Sequence, residues 1–165
     1  MIGLARASIY FMKKRVAYLA GLISTEYPES LAWRLRVAPI LEEAGFEVRT
    51  PLAGKSQLNK ETVDGGITTV IATNREICIR DRRDVRESDV ILANLNTFGC
   101  PRPLVGTIGE LAWAWDDRTA VVAVAAEDNY LMRKHPFISE FVTSYQKTLD
   151  EAVDHLIRYY GPAKS

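Results

Sequence analysis

Short apolar runs separated by longer amphipathic segments dominate the hydrophobic pattern of the chain. Runs without polar alternation occur at 15–20, 89–95 and 119–124. Such runs are typical of parallel strands that are buried on both faces. The alternating segment 46–49 predicts a further strand, and 141–145 is interpreted as a fifth.

Helical periodicity fills most of the intervals between these strands. Ser30 is expected to cap the first helix, and Pro39 inside it is expected to kink or split it. Thr148 and Glu151 form a capping-box pattern that begins the last helix. The apolar stripe of the first helix is predicted to be Val37, Ile40, Leu41 and Ala44. Helices are predicted over 30–44, 73–88, 107–117 and 148–160.

Strands that alternate with helices predict an α/β fold. We expect a flavodoxin-like or Rossmann-like parallel sheet of five strands with helices on both faces. Right-handed crossovers would bring the loops after the first, third and fourth strands to one edge of the sheet. A dinucleotide-binding domain is disfavoured, because the glycine pattern GxGxxG does not follow the first strand. The long polar segment 51–66 is predicted to be a loop.

Composition restricts the class of protein. The length of 165 residues predicts one domain over 15–165, preceded by a flexible leader at 1–14 that lacks the features of a signal peptide. The 21 basic and 21 acidic residues balance, which gives no electrostatic reason to expect binding to nucleic acid or to a membrane. No apolar run is long enough to span a bilayer.

The cysteines and histidines disfavour a metal centre. The two cysteines and two histidines show neither CxxC nor HxxxH spacing, so we expect no metal and no cofactor. Cys78 falls in a helical pattern and Cys100 in a loop, which does not suggest a disulfide framework. This usage favours a cytoplasmic protein.

Candidate chemistry begins with the segment 106–111, GTIGEL, which follows the predicted third strand. It places Glu110 in the first turn of a helix at the ligand-binding edge of the sheet. Glu110 is either a nucleophile or an acid that complements the positive helix terminus. Tyr18 and Asp81 are predicted to approach the same edge. A carboxylate nucleophile, a second acid and a tyrosine suit substitution at the anomeric carbon of a sugar.

At this point the chain resembles the nucleoside 2-deoxyribosyltransferase family, over roughly residues 15–125. Each motif is short, and the resemblance depends on their order and spacing. The matching stretches are 16–21, 45–48 with Pro51, Asp81, 88–93, and Gly106, Thr107, Glu110, Leu111 and Ala114.

The resemblance implies roles for individual residues and a set of partners. Glu110 would form a glycosyl ester, Tyr18 would position it, and Asp81 would contact the base and assist proton transfer. Further substrate contacts would come from Gly21, Asn94, Asn96, Gly106, Thr107 and Asn129. The ligands implied are a nucleoside or nucleotide and a free nucleobase, bound without a cofactor. A homo-oligomer is also implied, with Asn129 reaching the site of a neighbouring subunit.

Position 104 leaves the activity open. In the family, transferases carry an aspartate six residues before the nucleophile, and hydrolases of nucleoside 5′-monophosphates tend to carry a serine there. This chain has Leu104, with Asn94, Asn96 or Thr97 as substitutes for the missing contact. A phosphate group would require Arg34 or the loop that ends at Thr107. Three hypotheses follow: a deoxyribosyltransferase, a nucleotide N-glycosidase, and a nucleotide-binding sensor without turnover.

Overall fold

Five parallel strands form the centre of the protein, in a computed structural model that describes residues 14–52 and 73–162. Their spatial order is β2-β1-β3-β4-β5. The central strands β1, β3 and β4 are almost wholly buried, which explains why their sequences do not alternate. The strands are β1 (Arg15–Gly21), β2 (Phe46–Arg49), β3 (Val90–Asn94), β4 (Ala120–Val124) and β5 (Ser144–Gln146).

Helices cover both faces of the sheet, as predicted. Helices α1 and α6 pack on one face, and α2, α3 and α5 form the layer on the other. Because side chains alternate along a strand, Tyr18 belongs to the core beneath α3, whereas its neighbour Leu19 belongs to the core beneath α1. The described helices are α1 (Glu29–Glu43), α2 (Asn74–Arg86), α3 (Val105–Asp116), α4 (Tyr130–Lys134), α5 (Pro136–Phe141) and α6 (Leu149–Tyr160).

The start of α1 differs from the prediction. Ser30 does not cap the helix, since the N-cap position is Pro28 and no side chain accepts a hydrogen bond there. The Ser30 hydroxyl instead accepts from the backbone N–H of Ser24 at 3.0 Å and donates to its carbonyl at 2.9 Å. This pair of bonds closes the turn between β1 and α1. The helix is not split at Pro39, which lies within its continuous span.

The last strand and the surface of α1 were also predicted imperfectly. Residues 136–141 form helix α5, so β5 is a three-residue strand that begins at Ser144 rather than at 141. In the predicted stripe of α1, Val37 and Leu41 are buried, whereas Ile40 is exposed. The tertiary environment outweighed the local periodicity at both places.

Some predicted segments lie outside the described residues. These are the leader up to residue 13 and the polar loop from residue 53 onward. The described helices include none that is long and apolar enough to cross a membrane.

Candidate active site

A cavity of about 260 Å³ lies at the carboxyl edge of the sheet, beside β1 and β3. The strand order reverses between these two strands, because β2 lies on one side of β1 and β3 on the other. Such a switch point is the usual ligand site of an open α/β sheet. The described residues that line the cavity are Gly21, Leu22, Ile23, Pro51, Ile77, Asp81, Arg102, Pro103, Leu104, Val105, Gly106, Thr107 and Glu110.

Glu110 lies on the wall of this cavity and is buried. Helix α3 begins at Val105, two residues before the predicted start, so Glu110 lies in the second turn of the helix. The prediction of a first-turn position was therefore wrong. The first turn contains no acidic residue, so attraction to the helix terminus does not account for the position of this carboxylate.

Tyr18 contacts Glu110 directly. Its hydroxyl donates a hydrogen bond of 2.6 Å to Oε1 of the carboxylate, between residues 92 positions apart in the sequence. Burial and the neighbouring carboxylates of Glu110 and Asp81 raise the pKa of Tyr18 far above its ordinary value of 10.0. The raised pKa favours the neutral phenol, which is the form that donates to Glu110.

The raised pKa of Tyr18 should make the difference in stability between the wild type and Tyr18→Phe depend on pH. The stabilisation that Tyr18 gives to the folded wild type is complete below about pH 10. It is lost as the pH rises above that value, because the tyrosine then ionises only in the unfolded state. We expect Tyr18→Phe to lower the free energy of unfolding by about 1 to 3 kcal/mol at pH 8 and by clearly less at pH 11. Urea denaturation at both pH values measures the difference.

The exposed Tyr159 provides the matched control for that experiment. Tyr159→Phe should change the free energy of unfolding little at either pH. A difference between the wild type and Tyr18→Phe that is equal at pH 8 and pH 11 would contradict the shifted pKa.

Asp81 lines the same cavity. It lies on α2, whose first residues are capped by Thr73 and Glu76 in a reciprocal capping box. Its Oδ1 accepts two hydrogen bonds from the guanidinium of Arg80, at 2.7 and 3.2 Å, which fixes the orientation of the carboxylate. Asp81 is buried beside Tyr18 and contributes to the raised pKa of that residue. The structure thus brings Tyr18, Asp81 and Glu110 together.

Gly21 and Gly106 both line the cavity, and a Cβ would meet different surroundings at each. Gly21 has a φ of +158°, and a Cβ there would lie 3.0 Å from the carbonyl oxygen of Asn94 and 3.1 Å from Trp33. Any side chain at this position would therefore press on the end of β3 and on side chains of α1. A Cβ on Gly106 would meet no atom within 4 Å, so that position has open space for a side chain. Gly21, Gly106 and Thr107 all line the cavity, as the predicted binding residues would.

The three predicted asparagines lie elsewhere. Asn94 is buried at the end of β3, and its Oδ1 accepts from the side chain and the backbone N–H of Asn96. Asn129 caps α4, where its Oδ1 accepts from the backbone N–H of Met132 at 3.3 Å. None of the three lines the cavity within the described chain.

The positions of two arginines differ from what the sequence predicted. Arg34, considered for phosphate binding, is 2% exposed and donates to four backbone carbonyl oxygens behind the cavity wall. Arg102, which the sequence analysis did not select, lines the cavity instead. Its guanidinium donates to the carbonyl oxygen of Ile23 at 3.5 Å. The sequence signal that could have identified Arg102 is that it is a basic residue in the irregular segment between β3 and α3.

Leu104 occupies the N-cap position of α3, and its side chain is buried in the apolar core. It therefore places no polar side chain at this position. The described residues contain no cluster of three His, Cys, Asp or Glu side chains that could hold a metal ion.

The strand order and the cavity at its switch point define a doubly wound, flavodoxin-like α/β protein. Residues 17–153 match the family described as Nucleoside 2-deoxyribosyltransferase, and the chain belongs to that family. The family is enzymatic, and its description names deoxyribosyl transfer from nucleosides. No curated protein sequence matches the chain significantly.

Three solved structures share the fold at low sequence identity. A conserved protein from Enterococcus faecalis V583 has a TM-score of 0.64 and 14% identity, over 88% of this chain and 98% of its own. A 2-desoxiribosyltransferase from Leishmania mexicana has a TM-score of 0.60 and 15% identity, over 88% and 99%. The CMP N-glycosidase BcmB from Clostridium botulinum has a TM-score of 0.56 and 18% identity, over 88% and 100%.

Proposed function

We propose that the protein cleaves the N-glycosidic bond of a 2′-deoxynucleoside and transfers the deoxyribosyl group to another nucleobase. The observation that carries the proposal is the buried hydrogen bond from Tyr18 to Glu110, in a cavity that Asp81 also lines. Family membership supports this choice among the reactions that paired carboxylates perform.

In the first half of the reaction, a carboxylate oxygen of Glu110 attacks C1′ of the sugar. The bond from C1′ to the base nitrogen breaks, and its electron pair leaves with the base. Asp81 donates a proton to a ring nitrogen of the departing base, which improves the leaving group. Tyr18 holds the Glu110 carboxylate in orientation, because its phenol donates to Oε1.

The second half reverses these steps with a new base. A ring nitrogen of the incoming base attacks C1′, and the ester bond to Glu110 breaks with its electron pair returning to the carboxylate. Asp81 accepts the proton that the incoming base loses. The free enzyme is thereby restored. Formation and breakdown of the glycosyl ester are two easier steps that replace a single, more difficult displacement.

Chromatography of the products tests this function. The purified protein is incubated with deoxyadenosine or thymidine, with and without a second free base. A new deoxynucleoside that forms only with the second base is the expected result. Release of free base at the same rate without an acceptor would overturn transfer in favour of hydrolysis.

The position of Arg102 supports a second candidate function, the hydrolysis of a nucleoside 5′-monophosphate. It lines the cavity next to the first turn of α3, whose backbone N–H groups have no side-chain cap. A guanidinium and helix N-terminal amides together suit a phosphate group. In this reaction water replaces the incoming base in the attack on the glycosyl ester.

Substitution of Arg102 separates the two candidates. If the substrate carries a 5′-phosphate, Arg102→Ala should raise KM for the monophosphate about 10- to 100-fold, because one charge-assisted hydrogen bond is lost. KM for the unphosphorylated nucleoside should stay unchanged. Arg86→Ala, at an exposed position on α2, is the control. Equal effects of Arg102→Ala on both substrates would contradict a phosphate contact.

A homo-oligomer in the cytoplasm, with Asn129 completing the site of a neighbouring subunit, also remains a proposal. Light scattering during size-exclusion chromatography measures the assembly. If Asn129 acts across an interface, mixing inactive Asn129→Ala and inactive Glu110→Gln proteins should restore part of the activity.

A further inference from the structure

Arg80 connects the proposed general acid to the end of a neighbouring strand. It lies next to Asp81 on α2, and the two side chains are 28% and 12% exposed. Nη2 of Arg80 donates to Oδ1 of Asp81 at 2.7 Å and to the carbonyl oxygen of Pro51 at 2.9 Å. Pro51 follows β2 and lines the cavity, as Asp81 does. One guanidinium therefore joins two separate parts of the cavity lining.

The hydrogen bond to Pro51 sets the direction of the guanidinium. Side chains of adjacent residues on a helix do not face each other, so the helix alone does not bring Arg80 onto Asp81. The carbonyl oxygen of Pro51 lies outside the helix and supplies the second point of attachment. Arg49 on β2 ties the carboxyl end of α2 separately, through Glu87 at 2.7 Å. We therefore expect α2 to stay in place when Arg80 is substituted.

Both hydrogen bonds from Arg80 to the carboxylate end on the same oxygen. Nε donates to Oδ1 of Asp81 at 3.2 Å, in addition to Nη2 at 2.7 Å. A carboxylate oxygen offers two lone pairs, so a proton on Oδ1 would displace one of these two charge-assisted bonds. A proton on Oδ2 leaves both bonds in place, because Oδ1 then remains an acceptor as the carbonyl oxygen of the acid. The contacts of Arg80 therefore disfavour protonation of Oδ1.

We propose that Arg80 is a positioning residue, which binds Oδ1 of Asp81 and so makes Oδ2 the oxygen that exchanges a proton with the nucleobase. This inference rests on the proposed function, since it takes Asp81 as the general acid. In the first half-reaction the Oδ2–H bond breaks, its electron pair stays on Oδ2, and the proton moves to the ring nitrogen of the departing base. In the second half-reaction Oδ2 takes a proton from the incoming base. Without Arg80 the proton occupies either oxygen, so proton transfer to the base becomes slower.

The first experiment measures kcat and KM for the wild type, Arg80→Met, Asp81→Asn and the double variant. Deoxyadenosine needs a proton on its leaving base, whereas the base of 7-methyl-2′-deoxyguanosine is already positively charged. Arg80→Met should lower kcat for deoxyadenosine about 10-fold without changing KM, and lower kcat for the methylated substrate less than about 2-fold. In the Asp81→Asn background Arg80→Met should have little further effect, because Arg80 acts through Asp81.

Arg83→Met is the matched control for these rates. Arg83 is an exposed arginine on the same helix, 3.9 Å from Asp84, and it is not part of the described cavity lining. This variant should match the wild type with both substrates. Equal losses of Arg80→Met with the two substrates, or equal losses in the two backgrounds, would overturn the positioning role.

Urea denaturation of the same four proteins at neutral pH tests the contact without any substrate. The double-mutant cycle isolates the pair Arg80 and Asp81 from the other contacts of either residue. Arg80→Met should reduce the folding equilibrium constant about 5-fold more in the wild type than in Asp81→Asn. Equal reductions would overturn the proposal, whether or not nucleosides are turned over. If the pair is coupled but no nucleoside is turned over, the proposed function fails and the proton-transfer role of Arg80 fails with it.

Arg80→Lys carries the test if Arg80→Met does not fold. Lysine retains the charge but not the planar fork that places two N–H groups on one oxygen. Arg80→Lys should therefore rescue part of the loss, with kcat for deoxyadenosine about 3-fold below the wild type and kcat for the methylated substrate unchanged. Losses of equal size with the two substrates in this variant would contradict the proposal.

Discussion

The Glu110→Gln variant should lose nearly all turnover while keeping the fold. Glutamine is similar in size and still accepts a hydrogen bond from Tyr18 through its amide oxygen, so the core around α3 should remain packed. The amide is a much weaker nucleophile than a carboxylate, so the covalent step should fail. We expect kcat to fall by at least about 10³-fold, as is usual when a nucleophile is removed. Steady-state rates and the thermal unfolding midpoint are the two measurements.

Glu42→Gln is the matched control, because Glu42 is an exposed glutamate on α1 away from the cavity. It should retain wild-type rates. Mass spectrometry of the acid-quenched wild type should in addition show a deoxyribosyl adduct on the peptide that contains Glu110. A kcat of Glu110→Gln within about 10-fold of the wild-type value would contradict the assignment of Glu110 as the nucleophile.

The central sheet could be predicted because its sequence signal is local and strong. Val90–Asn94 and Ala120–Val124 are continuous apolar runs, and only a strand covered on both faces buries every residue of such a run. β5 was harder to predict, since it has three residues and all of them are half-buried. The helix at Pro136–Phe141 is too short to show a clear period.

The meeting of Tyr18 with Glu110 could also be anticipated from the chain. The parallel-strand rule predicted that both residues approach one edge of the sheet, and the resemblance to the family implied that Tyr18 positions Glu110. The burial of Arg34 could not be anticipated, because a charged residue on a helix is normally solvated. Its position depends on carbonyl oxygens of β1 and of the following turn, which local sequence does not reveal. Local sequence also did not reveal that the side chain of Leu104 packs into the apolar core.

The Asp81→Asn variant should lose activity in proportion to how much the leaving base needs a proton. Asparagine keeps the shape of the side chain but does not donate an acidic proton to the ring nitrogen. For deoxyadenosine or thymidine we expect kcat to fall about 10²- to 10³-fold, which is typical when a general acid is removed. In 7-methyl-2′-deoxyguanosine the base already carries a positive charge and leaves without gaining a proton. For that substrate the loss should stay below about 10-fold.

Comparing the two substrates distinguishes proton transfer from damage to the cavity. Asp84→Asn is the matched control, since Asp84 lies on the same helix but contacts Arg49, and it is not part of the cavity lining. It should lower both rates little. If Asp81→Asn reduced turnover of the methylated and unmethylated substrates by the same factor, Asp81 would bind the base or support the cavity without supplying the proton. The ratio of the two losses therefore measures how much of the role of Asp81 is general acid catalysis.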